Sequence, residues 1–149
     1  MNTANGIVGA ELIKSYLQSR QMQYFCGHHD DEFFFLVNTY HGRLRVHLQP
    51  RDSAVYISIT AERYYPADRR AGVAAFAQQW NDTDPQAAAS VFSSCDPRLV
   101  GVVAERRYHA GDGEIGPVID QTVQSAIDLF GRLRAAVASS DDAHLRDAG

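Results

Sequence analysis

Two short runs, residues 43–48 and 54–61, alternate between apolar and polar side chains, and no other feature limits the fold as tightly. In the first, Leu44, Val46 and Leu48 point one way and Arg43, Arg45 and His47 the other. In the second, Val55, Ile57, Ile59 and Ala61 oppose Tyr56, Ser58 and Thr60. A period of two belongs to a strand with one buried and one wet face. Pro50-Arg51-Asp52-Ser53 between the runs has turn chemistry, so the two strands are expected to pair antiparallel. Upstream, FFFLVNTY at 33–40 is rich in aromatic and β-branched residues and too short for a buried helix. It predicts a further strand, joined to the first run by a tight turn at His41-Gly42.

Helical periodicity brackets this meander. Ile7, Ala10, Ile13, Tyr16 and Leu17 predict a helix over 6–20. Beyond Pro66 and Asp68, Val73, Phe76, Ala77 and Trp80 recur at i, i+3, i+4 and i+7, and NDTDP at 81–85 ends that second helix. Ala89–Cys95 and Leu99–Tyr108 read as two more strands around the Asp96-Pro97 turn. A last stripe, Ile115, Val118, Ile119, Thr122, Val123, Ala126, Ile127, Phe130, Leu133 and Val137, sustains a helix over six turns. The expected fold is therefore α+β, in the order α-β-β-β-α-β-β-α, with three helices on an antiparallel sheet of about five strands. It forms one domain over 1–138. The polar, aperiodic segment 139–149 (SSDDAHLRDAG) is expected to be disordered, as are the first four or five residues. The helices should pack on the Leu44, Val46, Ile57 and Ile59 face, which leaves the other face to solvent or a partner.

Composition narrows the function. With 149 residues, 45% hydrophobic and 21% charged, the chain can bury a core without disulfide or metal staples. A net charge of −4 provides no global field for nucleic acid or anionic lipid. No apolar run approaches membrane-spanning length, and the first residues lack a basic region followed by an apolar one. A cytoplasmic protein without nucleic-acid or membrane partners is expected. Thirteen of the 14 basic residues are arginine, which points to a GC-rich bacterial genome rather than to a phosphate site. Cys26 and Cys95 form no CxxC, and Cys95 is expected as buried packing.

Chemistry-bearing clusters are few. His28, His29, Asp30, Asp31 and Glu32 are metal-ligating types, yet adjacent strand residues point to opposite faces, and neither HExxH nor His-x-His spacing is present. A solvated loop is the favoured reading of this segment, and a metal or small-ligand site there is the alternative. His41, His47 and His109 are dispersed without a sequence-local carboxylate. Gly111-Asp112-Gly113 lacks the lysine of a phosphate loop, and no GxSxG is present. No catalytic residue, metal ligand or cofactor is assigned. A ligand pocket between the sheet and the last helix, drawing on His28, His29, Asp31 or His109, is the enzyme-class alternative. The outward residues Arg43, Arg45, His47, Tyr56 and Ser58, with Thr60, mix arginine and aromatic side chains, the types enriched at protein interfaces. They are the candidate partner-binding residues, with Arg43 and Arg45 set opposite Tyr56 and Ser58.

The hydrophobic spacing over 7–137, the FFFLV strand, the two alternating runs, Trp80-Asn81, Val102-Val103-Ala104-Glu105 and the last helix with Ile127, Phe130 and Leu133 together resemble the YbjN-like family, also called bacterial sensory transduction regulators. That family is related in fold to the type III secretion chaperones. The resemblance implies a homodimer that acts by binding a protein or peptide client rather than by catalysis. Trp80 is expected as a core anchor and Asn81 as a helix-ending residue tolerant of left-handed φ.

Overall fold

The computed structural model describes residues 2–27 and 31–148, with side chains for 9–27, 31–109 and 111–139. In chain order the elements are α1 (Asn2–Ser19), β1 (Phe25–Cys26), β2 (Phe33–Thr39), β3 (Gly42–Arg51), β4 (Ala54–Ala61) and β5 (Tyr65–Pro66). A turn of 3-10 helix leads into α2 (Arg70–Asp82), followed by β6 (Ala88–Ser93), β7 (Leu99–His109) and α3 (Ile115–Ala148). The α+β class and the order of the longer elements match the periodicity. β1 and β5 do not appear in it, because a two-residue strand carries no period.

Among the described residues all strands pair antiparallel in one seven-stranded sheet. β2, β3 and β4 form the meander, and β7 lies beside β4 with Ile59 opposite Ala104. β6 takes the other edge of β7, placing Val91 opposite Val102. β1 adds to β2 through Phe25 and Phe34, and β5 adds to β7 through Tyr65 and Val100. At the β2–β3 turn Thr39 pairs with Gly42, whose φ of 132° is open to glycine at no steric cost.

The β3–β4 turn is tighter than the sequence predicts. Pro50 and Arg51 remain in β3, and only Asp52 and Ser53 form the loop, closed by the pair Arg51 and Ala54. Asp52 takes a left-handed φ of 54°, which aspartate tolerates better than most residues. Shortening the loop by two residues slides every cross-strand partner by two while keeping each side chain on its face. Arg45 therefore faces Thr60, His47 faces Ser58, and Tyr56 faces Gln49, in place of the expected pairing of Arg43 and Arg45 with Tyr56 and Ser58.

One face of the sheet is the core. Phe33, Phe35, Val46, Leu48, Ile57, Ile59 and Ala104 are at most 1% exposed and meet Ile13 and Leu17 of α1, Val73 of α2 and Ile119, Leu129 and Leu133 of α3. Each of these side chains other than that of Ala104 contributes roughly 1.5–3 kcal/mol by leaving water. Leu129, absent from the sequence stripe, is fully buried, whereas Val123, Ile127 and Phe130 only flank the core. Thr122 is also fully buried, with its hydroxyl bonded to the Val118 carbonyl at 2.7 Å. Tyr16 donates to Asp120 at 2.7 Å and Arg20 pairs with the same carboxylate, tying α1 to α3. Burial, and then the Asp120 carboxylate, push the Tyr16 hydroxyl well above its ordinary value.

Trp80 and Asn81 act differently from expectation. Trp80 is half-buried, and its indole N–H donates to the Ala87 carbonyl at 2.8 Å. Asn81 lies within α2 and does not adopt left-handed φ; Asp84 does. The Asn81 side-chain amide donates to the Ala89 carbonyl at 2.9 Å and accepts from the Ala89 N–H at 2.7 Å. It thereby occupies the outer edge of β6 as a neighbouring strand would. Cys95 is exposed rather than buried, because β6 ends at Ser93 and Cys95 falls in the turn before β7. Helical backbone in α3 continues past residue 138, where the sequence reading ends the domain. Among the described side chains of α3, the last fully buried one is Leu133, with Val137 half-buried beyond it.

Candidate functional site

The opposite face of the sheet carries the predicted residues. Phe34 and Leu36 alternate with the buried Phe33 and Phe35 and so point outward, and Phe25 joins them across the β1–β2 pair. Phe25 is 61% exposed and Leu36 44%, an apolar corner beside charged neighbours. The His47 ring stacks on Phe34 with centroids 4.5 Å apart and planes 9° from parallel, and the Arg45 guanidinium lies 4.4 Å from the same ring centre. Arg43 donates to Asn38 at 3.3 Å. Across β4, Tyr56 lies between Arg107, 4.6 Å from its ring centre, and Arg51, at 6.0 Å. Ser58 sits between His47 and Glu105.

Arg43, Arg45, His47, Tyr56 and Ser58 are thus brought onto one face. Sequence reasoning missed Phe25, Phe34, Leu36, Arg51 and Arg107 as their neighbours. FFFLV reads as an uninterrupted apolar run, which hides the parity that would have separated Phe34 and Leu36 from Phe33 and Phe35. Arg107 is reached only through the β4–β7 pairing, between strands distant in sequence.

Four guanidinium groups, on Arg43, Arg45, Arg51 and Arg107, share this face with the carboxylates of Glu32 and Glu105. Glu32 accepts from the Gln49 amide at 3.3 Å. Among the described residues of this face cations thus outnumber carboxylates, on a chain whose net charge is −4. A hollow of about 550 Å³ opens beside it, lined by Phe25, Cys26, Glu32, Phe34, Leu36 and Arg45. Burial pushes the His47 imidazole below its ordinary value; Glu32 opposes that shift, and Arg45 and Arg51 add to it. His47 Nε2 is buried with no hydrogen-bond partner among the described residues.

The alternative site fares differently. His28, His29 and Asp30 lie outside the described residues. Asp31 is exposed, and His109 is engaged in a reciprocal capping arrangement with Asp112, whose carboxylate accepts from the His109 backbone N–H at 2.9 Å. Among the described residues no three His, Cys, Asp or Glu side chains are grouped to hold a metal ion. A cavity does lie between the sheet and α3, but at the β2–β3 turn, and neither Asp31 nor His109 lines it. No helix among the described residues is long and apolar enough to cross a membrane.

No family model and no curated relative matches the sequence. Similarity emerges at the level of the fold. YbjN from E. coli, described as a proposed transcription regulator, superposes with a TM-score of 0.66 at 15% identity, over 89% of this chain and 93% of that one. The fold is YbjN-like. An uncharacterized protein from Methanothermobacter thermautotrophicus superposes with a TM-score of 0.52 at 12% identity, over 85% of this chain and 97% of its own. At these identities the YbjN-like likeness concerns architecture and carries no residue-level function.

Proposed function

We propose that this chain is a non-enzymatic protein-binding module, a chaperone-like or regulatory adaptor, that works as a cytoplasmic homodimer and holds an acidic segment of a client protein. The observation that carries the reading is the sheet face opposite the core, where Arg43, Arg45, Arg51 and Arg107 surround Phe34, Tyr56 and the exposed Phe25 and Leu36. Apolar anchors ringed by arginine suit a client segment that mixes carboxylates with large apolar side chains. The description of E. coli YbjN as a proposed regulator is compatible with this role.

The test is affinity capture of the tagged chain from its host lysate, compared with the paired variant Arg45→Glu and Tyr56→Ala, with and without nuclease. A stoichiometric protein partner is expected, lost in the variant, weakened by salt and indifferent to nuclease. A partner retained by the variant removes the site from this face. Loss on nuclease treatment replaces the protein client with nucleic acid. Sedimentation at micromolar concentration tests the dimer in the same preparation, and a monomer there would overturn that part.

A further inference from the structure

A second site stands apart from the outer face, at the end of the molecule where the β2–β3 turn meets α3. There a cavity of about 250 Å³ opens over Leu44, Ala61, Ile127 and Phe130. Three arginines, Arg43, Arg63 and Arg134, reach its lining against one carboxylate, Glu62. None of the three forms an ion pair with a described residue. Arg134 donates one hydrogen bond, at 3.2 Å, to the His41 carbonyl, which fixes the guanidinium and leaves its other donors unassigned. The Arg63 guanidinium lies 5.8 Å from the ring centre of Tyr65, a residue only 4% exposed that lines the same cavity. The Tyr65 hydroxyl makes no hydrogen bond to a described residue. Burial pushes that hydroxyl above its ordinary value, while Arg63 and Arg134 both pull it back, so two guanidinium groups lie within electrostatic reach of one phenol.

Clustered cations repel one another in a partly enclosed space, and the natural counterpart is an anion that they share. The planar fork of arginine matches the two oxygens of a carboxylate, and the apolar floor offers nothing to a fully hydrated ion. We propose that this cavity binds a small organic carboxylate with an apolar body, its head between Arg63 and Arg134 beside the Tyr65 hydroxyl and its body over Leu44, Ile127 and Phe130. The space sets the size. At about 30 Å³ for each water in the liquid, the cavity corresponds to roughly eight waters, below the usual 300–1,000 Å³ of drug-sized pockets. A short aliphatic acid or a single aromatic ring with a carboxylate fills it. This site does not depend on the client-binding reading, because it shares only Arg43 with that face.

The experiment is calorimetric titration of the full chain with phenylacetate and hexanoate, alongside hexanol as a body without charge and acetate and inorganic phosphate as charge without a body. Binding of at least one amphipathic carboxylate in the millimolar range or tighter is expected, with hexanol, acetate and phosphate all weaker. Arg134→Met and Arg63→Met, which remove the charge and keep an apolar stem, are each expected to weaken binding about tenfold, the loss of one charge-assisted hydrogen bond. Arg107→Met, on the outer face, is expected to leave it unchanged. Should Arg134→Met fail to fold, Arg63→Met carries the comparison, since Arg63 is exposed. No binding at millimolar concentration, equal binding of hexanol, tighter binding of phosphate, or binding indifferent to both arginine variants would each overturn the proposal.

Discussion

The His47 ring lies flat on Phe34, with Nε2 buried and without a hydrogen bond among the described residues. Its sequence signal, a polar residue in a strict alternation, identified the face but not the burial, which comes from Phe34 on the neighbouring strand. Burial lowers the folded-state value below the ordinary 6.5, so the unfolded chain binds this proton more readily than the folded one. The stability contribution of the neutral ring is therefore complete above about pH 6.5 and is lost as the pH falls from there through the lower folded value. Urea unfolding at about pH 7.5 and about pH 5.5 should show a larger loss for the native chain than for His47→Phe, which keeps the stack and removes the titration. Equal losses would mean that the imidazole titrates alike in both states. Arg45 and Tyr56 were legible as outward residues from parity alone, whereas their ring and guanidinium partners, Phe34 and Arg107, required the cross-strand register.

Among the elements, β6 shows how a helix replaces a missing strand. β6 pairs with β7 along one edge, and at the other the Asn81 side chain satisfies both backbone groups of Ala89 while Trp80 holds the Ala87 carbonyl. The spacing of Val73, Phe76, Ala77 and Trp80 predicted α2 correctly, but no periodicity reports a side chain that bonds to another element's backbone. Asn81→Ala leaves the N–H and C=O of the buried Ala89 without these partners and is expected to cost about 1–3 kcal/mol in urea unfolding. Asn81→Asp keeps the acceptor for the Ala89 N–H, loses the donor, and should fall between the two. If alanine proves neutral, water has taken over both bonds and the clamp has no structural weight. In α3 the stripe was readable and its centre was not: Leu129 proved fully buried where Phe130 was expected, because facing α1, α2 and the sheet together selects a narrower arc than a single apolar face implies.

For the molecule as a whole, among the described side chains of α3 the last fully buried one is Leu133 and the last half-buried hydrophobic one packed on the core is Val137. The sequence reading ends the domain at residue 138, so a chain ending at Ala138 is expected to melt within about 2 °C of the full chain, by calorimetry at matched concentration. A drop well beyond that would place residues after 138 within the folding unit. The sequence by itself determined the α+β class, the meander, the helix order and the division of β3 and β4 into an oily and a charged face. It did so because periods of 2 and 3.6 are local properties of the backbone and survive without knowledge of any neighbour. Only the tertiary structure decided which arginine meets which ring, how Asn81 closes β6, and where Arg43, Arg63 and Arg134 converge beside α3. Those contacts join residues far apart in the chain, and their register depends on loop length and on packing that no local pattern encodes.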